Sequence, residues 1–515
     1  MKLKPSKCRS FSLKSGKPSI VPFSIEDHPV PSIAVEEQKF LGRVLFFDGK
    51  SQECFDLLKQ KLQEKIENLD KTEIRPEFKL EIYKIYILPS VRFLLTVHDL
   101  PKSHLLKLDT FTDQYLKKWA GLPRCATTSL LHLDTSLGIK QISTLYLETH
   151  TVTHCSVRLK GDARVNHVLD NRLERESALI RKQSVTVEAE RIYKRALNYN
   201  MVQGEIPTDS AELTLSEGPV LILPGVQTTP SHKFITEVKN EAKSQVTVSE
   251  NEKMLAHVQT LVKQGKFLEL TQVEKNDATW QSFIFNLPRG TMKFVLNAAI
   301  DTLPTKVNLK QWGKLVNDKC FCGRRQTLNH VLNCCNRSLE QGRFTFRHDA
   351  ILSYIATCLD RKKYECYVDI QGHQTPGGGT FPPSLVVTTL KPDIVIVDKK
   401  QKATYIFELT VPSEGRLEQA HKLKQAKYEH FKTDISSHKV SVIPFEIGSH
   451  TGYINRENKA NLHSLHKFCK SDIKLKKFKE NVSAIAILGS YYIFNCRNDE
   501  AWESSDPILP PFSNQ

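Results

Sequence analysis

A multidomain chain is predicted, with a mainly α-helical N-terminal half, a short Cys/His knuckle and an α/β domain after it. Three observations predict it. Apolar residues recur at helical spacing between Phe55 and Trp119. Four cysteines and a histidine crowd into residues 320–335. Two β-patterned runs joined by a lysine-rich turn fill residues 391–412.

Composition bounds the function classes. With 515 residues and 40% hydrophobic content, the chain can fill several cores. The longest apolar run, Val482–Phe494, is too short to cross a bilayer and reads as a buried element. The first residues, "MKLKPSKCRSFSLKSGK", contain no apolar signal core, so no membrane partner is expected. A formal net charge of +16 points to a polyanion, most simply nucleic acid. Twelve cysteines, sparse outside 320–335, suit a reducing compartment with one metal site.

The elements follow in order. Residues 1–35 read as short strands and turns. Helical spacing takes over from Glu37: Phe55, Leu58, Leu62 and Ile66, then Leu106, Phe111, Tyr115 and Trp119, with a stop at Gly121 and Pro123. Residues 125–200 read as mostly helical, with a basic stretch, "RLERESALIRKQ". Turn residues around a short apolar run mark 201–250 as a linker. Helices are expected at 252–266, 290–317, 337–359 and 415–432. A strand precedes the Gly/Pro-rich loop near 371–379, another covers 439–448, and a helical tail ends the chain.

The cluster "CFCGRRQTLNHVLNCC" offers the soft and borderline donors that Zn²⁺ takes at tetrahedral positions. Cys320 and Cys322 can meet one ion on a turn that Gly323 allows. His330 and Cys335 can complete the set, with Cys334 as an alternative fourth ligand. A chance group of buried thiols is the competing explanation. Arg324 and Arg325 lie in the knuckle, where they can meet phosphate or simply face solvent.

The run "KPDIVIVDKKQKATYIFELTVP" sets Asp393 at the start of one strand and Glu408 inside the next. With a turn centred on Lys400–Gln401, the two lie directly opposite, where like charges destabilise a hairpin. A cation removes the conflict, and oxygen-only ligation with room for water suits Mg²⁺. In the following helix, Leu417, Ala420, Leu423, Tyr428 and Phe431 mark the expected buried side, and Lys424 falls in the same stripe. A lysine aimed at a sheet needs negative charge. Two acids and a lysine at one spot suit phosphodiester hydrolysis. The plainer alternative has Asp393 solvated, Glu408 in a salt bridge and Lys424 snorkelling.

"KPDIVIVD", "FELTVP" and "KLKQAKYEHF" resemble the restriction-like endonuclease of non-LTR retrotransposons, a variant of the PD-(D/E)xK fold. The resemblance implies catalytic positions at Asp393, Glu408 and Lys424, with Lys427 and Tyr428 as motif residues. It implies supporting roles for Arg347 and His348, and a CCHC knuckle ahead of the nuclease. The parent pattern has its lysine two residues after the second acid, where this chain has Thr410. "KCRSFSLKSGKP" resembles the end of a reverse transcriptase palm. "ILPSVRFLLTVHDLP" and "TDQYLKKWAGLPRCAT" resemble its thumb. The implied organisation is palm end 1–35, thumb-like helices 36–125, helical linker 126–315, knuckle 316–337, restriction-like endonuclease 338–450 and tail 451–515. Polymerases of this family carry paired aspartates, and no Asp-Asp pair occurs in this sequence. The expectation is therefore a truncated retrotransposon reverse transcriptase product that nicks target DNA for priming on element RNA without polymerising. The expected cofactors are catalytic Mg²⁺ and structural Zn²⁺, and the expected location is nuclear or cytoplasmic, the nucleus following from the DNA substrate. The alternative is a non-catalytic zinc-knuckle protein that binds nucleic acid.

Overall fold

A computed structural model of the protein divides the chain into two units, residues 1–116 with 139–253, and residues 117–138 with 254–515. It describes all residues except 1–3, 5–6, 16, 36–37, 41–42, 46–50, 179–183, 204–230, 273–281, 371–380, 503–507 and 513–515. The Gly/Pro-rich loop, most of the expected linker and the end of the basic stretch therefore lie outside the described residues. The chain is mainly helical, with one four-stranded mixed sheet and a Cys/His cluster. Among the described residues, no helix is long and apolar enough to cross a membrane.

The first unit opens with short hairpins, Ser12–Lys14 with Lys17–Ser19 and Phe23–Ile25 with His28–Val30. A third, Gln38–Phe40 with Arg43–Leu45, occupies the place where helix was expected from Glu37. The helix begins at Ser51. Phe55, Leu58, Leu62 and Ile66 are buried along it as their spacing predicts. In the helix Lys102–Ala120, Trp119 is buried as its spacing predicts, Phe111 and Tyr115 are half-buried, and Leu106 is exposed, the inner side running through Leu105, Leu108, Thr112 and Leu116. The expected linker is corrected at its C-terminal side, where His232–Gln259 is a helix. Val238, Ala242 and Val246, four residues apart, pack against Cys155, Ile192 and Ala196. The buried Glu148 meets Arg92, Lys140 and Lys243. Burial opposes its charge, but the three cations outweigh burial and hold the carboxyl below its usual range.

In the second unit, the strands run in the order Lys439–Glu446, Ala403–Thr410, Ile394–Asp398, Glu365–Val368. The first pair is parallel and the other two are antiparallel. A parallel pair needs a crossover, which the helix Leu417–Tyr428 supplies. The two central strands are apolar on both faces, as a doubly covered sheet requires. On one face Ile394, Ile396, Phe407 and Leu409 join the helices Arg343–Cys358, Arg456–His466 and Leu475–Asn495. On the other, Val395, Val397 and Ile406 pack with Tyr428, Phe431 and Ile435.

Four expectations change here. The helix expected at 337–359 is broken at Gly342, which has φ +69°. Leu423 is 65% exposed, so the buried side of its helix runs through Leu417, Lys424 and Tyr428 instead. The segment 451–515 is no appendage, because Leu475–Asn495 lies within the sheet's core. The helix Arg289–Ala299 joins it through Phe294 and Phe494, 5.6 Å between ring centroids, so the expected linker 126–315 is divided between the two units.

Gly489 illustrates how closely the last helix packs. A Cβ there would stand 2.6 Å from Arg347 Cγ. Gly489→Ala is therefore expected to destabilise by about 1–3 kcal/mol through overpacking, although alanine normally favours helices. A thermal melt of the variant beside wild type checks this, and a raised Tm would contradict the close contact.

Candidate active site and metal centre

Pairing places Ile394 opposite Phe407, and the same register carries Asp393 opposite Glu408. The turn Lys399–Lys402 sets this register, with Lys402 in the left-handed region at φ +49°. Each carboxylate is held by the neighbouring strand or its extension. The Asp393 N–H donates to Glu408 Oε2 at 3.1 Å, and the Leu409 N–H donates to Asp393 Oδ2 at 2.7 Å. Both residues are buried.

The helix Leu417–Tyr428 brings the cations. Lys424 Nζ donates to Glu408 Oε1 at 2.6 Å. One turn on, the Tyr428 hydroxyl donates to the same oxygen at 3.2 Å, and Lys427 Nζ donates to that hydroxyl at 2.8 Å. The Glu408 carboxyl is pushed up by burial and by the Asp393 charge, while Lys424 works in the other direction. Burial and the Glu408 charge raise the Tyr428 phenol, which stays a donor.

From the helix Arg343–Cys358, His348 Nε2 stands 3.3 Å from Asp393 Oδ2, and Nδ1 stands 3.0 Å from Asp349 Oδ1. Burial opposes charge on this ring, but the two carboxylates outweigh it and raise His348 to about 9. Its neighbour Arg347 points elsewhere. Arg347 is 3% exposed, with Nη1 donating to Ser490 Oγ at 3.0 Å and Nη2 to the Val411 carbonyl at 3.2 Å. Burial lowers it to about 10, so it is a cation at neutral pH. Arg347 thus joins two helices to the chain just beyond Glu408, and among the described residues no hydrogen bond links it to either acid.

These groups open on a cleft of about 860 Å³ lined by Asp393 and Lys424 together with His348, Asp349 and Asp369. Asp349 and Asp369 escaped the reading of the sequence. Asp369 follows the strand Glu365–Val368, and its N–H donates to the Asp393 carbonyl at 2.9 Å. Burial raises its carboxyl, against the pull of Lys391. An acid directly after the apolar run "CYV" was the available signal.

The second cluster is the knuckle. Ligand atoms of Cys320, Cys322, His330 and Cys335 all lie within 4.8 Å of one another. Two thiolates at ~2.3 Å from one tetrahedral ion stand ~3.8 Å apart, and Cys320 Sγ lies 3.9 Å from Cys335 Sγ. Cys322 Sγ lies 3.1 Å from His330 Nε2. The Gly323 N–H donates to the Cys320 carbonyl at 2.9 Å, and its φ of +82° makes the turn that glycine permits. This Cys₃His set fits zinc. Cys335 leaves the short helical turn His330–Cys334 with extended backbone, which carries its thiol to the cluster. Cys334 instead accepts from Asn329 Nδ2 and lines the cleft. No family model and no curated protein matches the chain.

Both knuckle arginines are exposed, and Arg325 Nε pairs with Asp318 at 3.0 Å. Between the first two cysteines, Phe321 is 49% exposed, with Lys306 and Arg337 standing 4.9 and 5.1 Å from its ring centroid. Bound zinc, measured by mass spectrometry of purified protein, is expected to be lost in Cys335→Ser and kept in Cys334→Ser. The reverse result would exchange the ligands.

Proposed function

We infer that the chain is a divalent-metal-dependent endonuclease that nicks DNA, as part of a non-LTR retrotransposon protein. One observation carries this: Asp393, Glu408 and Lys424, drawn from two strands and a helix, meet beside a single open cleft. The resemblance to restriction-like nucleases of the PD-(D/E)xK type supports the reading, and the charge of +16 suits a polyanionic substrate.

The donor chemistry fits Mg²⁺. Asp393 and Glu408 offer oxygen alone, and the burial and mutual repulsion that push Glu408 up are what a cation relieves. When bound, the ion would supply a Lewis acid to the phosphate. The chain's own groups do the rest. The amides of Asp393 and Leu409 fix both carboxylates before substrate arrives. Lys424, which reaches the cleft from Glu408, can orient a water or donate to a phosphate oxygen that gains charge. Tyr428 and Lys427 hold Glu408 from behind. His348, a cation at neutral pH, steadies Asp393.

The knuckle's zinc would brace the loop bearing Phe321 and Arg324 for contact with DNA or element RNA. A nick made here leaves a hydroxyl end able to prime reverse transcription. Polymerisation itself is not proposed for these residues, which contain no Asp-Asp pair. A DNA substrate places the protein in the nucleus at the time it acts.

Supercoiled plasmid incubated with the full chain and Mg²⁺ is expected to become open circles, and chelation is expected to stop it. Asp393→Asn, Glu408→Gln and Lys424→Gln should each slow nicking by about 10²-fold or more while retaining DNA affinity. Equal nicking by Asp393→Asn and wild type would remove the assignment. A wild type that shifts a duplex probe in a gel but never nicks would favour the non-catalytic binding protein.

A further inference from the structure

Beyond the acids and Lys424, the cleft is lined by Thr410, Val411, Pro412, Ser413 and Arg416. Strand side chains alternate, so Thr410 shares the face of Glu408. Its hydroxyl is buried and has no hydrogen-bond partner. Buried hydroxyls nearly always find one, so an unpaired donor in a cleft points to a ligand that completes it. Arg416 is exposed at the same cleft, and no carboxylate pairs with it among the described residues. Arg347 adds a third unmet donor, for its Nε is buried without a partner in a side chain that is 3% exposed and carries no salt bridge among the described residues. The Glu414 charge offsets part of this cation's burial, and the open Nε still calls for an acceptor.

The segment that joins these groups is fixed. Glu414 Oε1 accepts from the His450 N–H at 2.9 Å, the Thr451 N–H at 2.8 Å and the Thr451 hydroxyl at 3.0 Å. Gly448 leaves room for that carboxylate, since a Cβ there would lie 2.6 Å from Glu414 Oε1. Thr410 and Arg416 are therefore held in place on either side of a buried anchor, as a binding site requires.

We propose that Thr410 and Arg416 form a subsite for the phosphodiester backbone of DNA, holding the strand so that one bond lies at Asp393, Glu408 and Lys424. The assignment builds on the endonuclease reading of this cleft and names its substrate contacts. A guanidinium takes two phosphate oxygens at once, and a hydroxyl donates to another. Thr410 stands where the parent nuclease pattern has its lysine, so a neutral donor occupies that position while the cation comes from the helix.

The test is equilibrium binding of the full chain to a fluorescein-labelled duplex of mixed sequence, read by anisotropy over a range of NaCl without divalent metal. Arg416→Ala should weaken binding about tenfold and lower the slope of log K against log salt by about one. Arg416→Lys should restore the slope but only part of the affinity. Thr410→Val should weaken binding about tenfold with the slope unchanged, because it removes a neutral donor to a charged oxygen. Thr410→Ser should bind like wild type, and Thr410→Ala replaces the valine variant if that one fails to melt cooperatively. Unchanged affinity in Arg416→Ala, or in both hydroxyl-free variants at 410, overturns the subsite. The two readings fail separately. Wild type that binds with this dependence yet never nicks refutes the nuclease and supports the subsite. Wild type that nicks while the variants bind and nick unchanged does the opposite.

Discussion

The exchange of hydrogen bonds between Asp393 and the strand bearing Glu408 is the constraint on which the cleft depends. Asp393 donates from its backbone to Glu408 and accepts at its side chain from Leu409. These two bonds lock the relative register of neighbouring strands at the point where they emerge from the core. A slip of one residue would turn Glu408 toward Phe445 and Leu462 and bring Phe407 to the helix that carries Lys424. The apolar side chains on both faces enforce the same register, so core and cleft specify one pairing.

Charge around this pair is arranged by distance from the backbone. The acids sit on or beside strands and cannot move far. The mobile cation, Lys424, sits on a long stem and closes on Glu408. Like charges opposite each other in a sheet are costly, and a buried ion pair is weak as a source of stability. The arrangement therefore reads as one that sacrifices stability for a concentrated field. Arg347, buried beneath the cleft, is held by Ser490 and the Val411 carbonyl, with the Glu414 charge offsetting part of its burial.

Much of this geometry was legible in the sequence because it rests on short-range rules. The lysine-rich turn sets the register, and register sets Asp393 against Glu408. Helical period sets Lys424 with Tyr428, and both touch Glu408. Leu423 is apolar yet faces outward, because Lys424, with an acid to meet, takes the inner position. Asp349, Asp369 and the inward role of Arg347 depend on which elements pack together, and local patterns do not contain that. Cys334 and Cys335 are adjacent and chemically identical, so only the backbone turn at 335 separates them. The helix His232–Gln259 was hidden by turn-forming neighbours that outweighed its four-residue spacing.

The last long helix carries a consequence for timing. Leu475–Asn495 supplies Phe478, Val482 and Ile485 to the core under the sheet, and Ser490 receives Arg347. During synthesis, the residues of the cleft leave the ribosome well before this helix does. Domains fold as units, so the nascent chain holds the acids without the support that fixes their surroundings. The cleft built this way is complete only after translation has passed Asn495, and a chain ended before that helix would lack the core beneath Asp393 and Glu408.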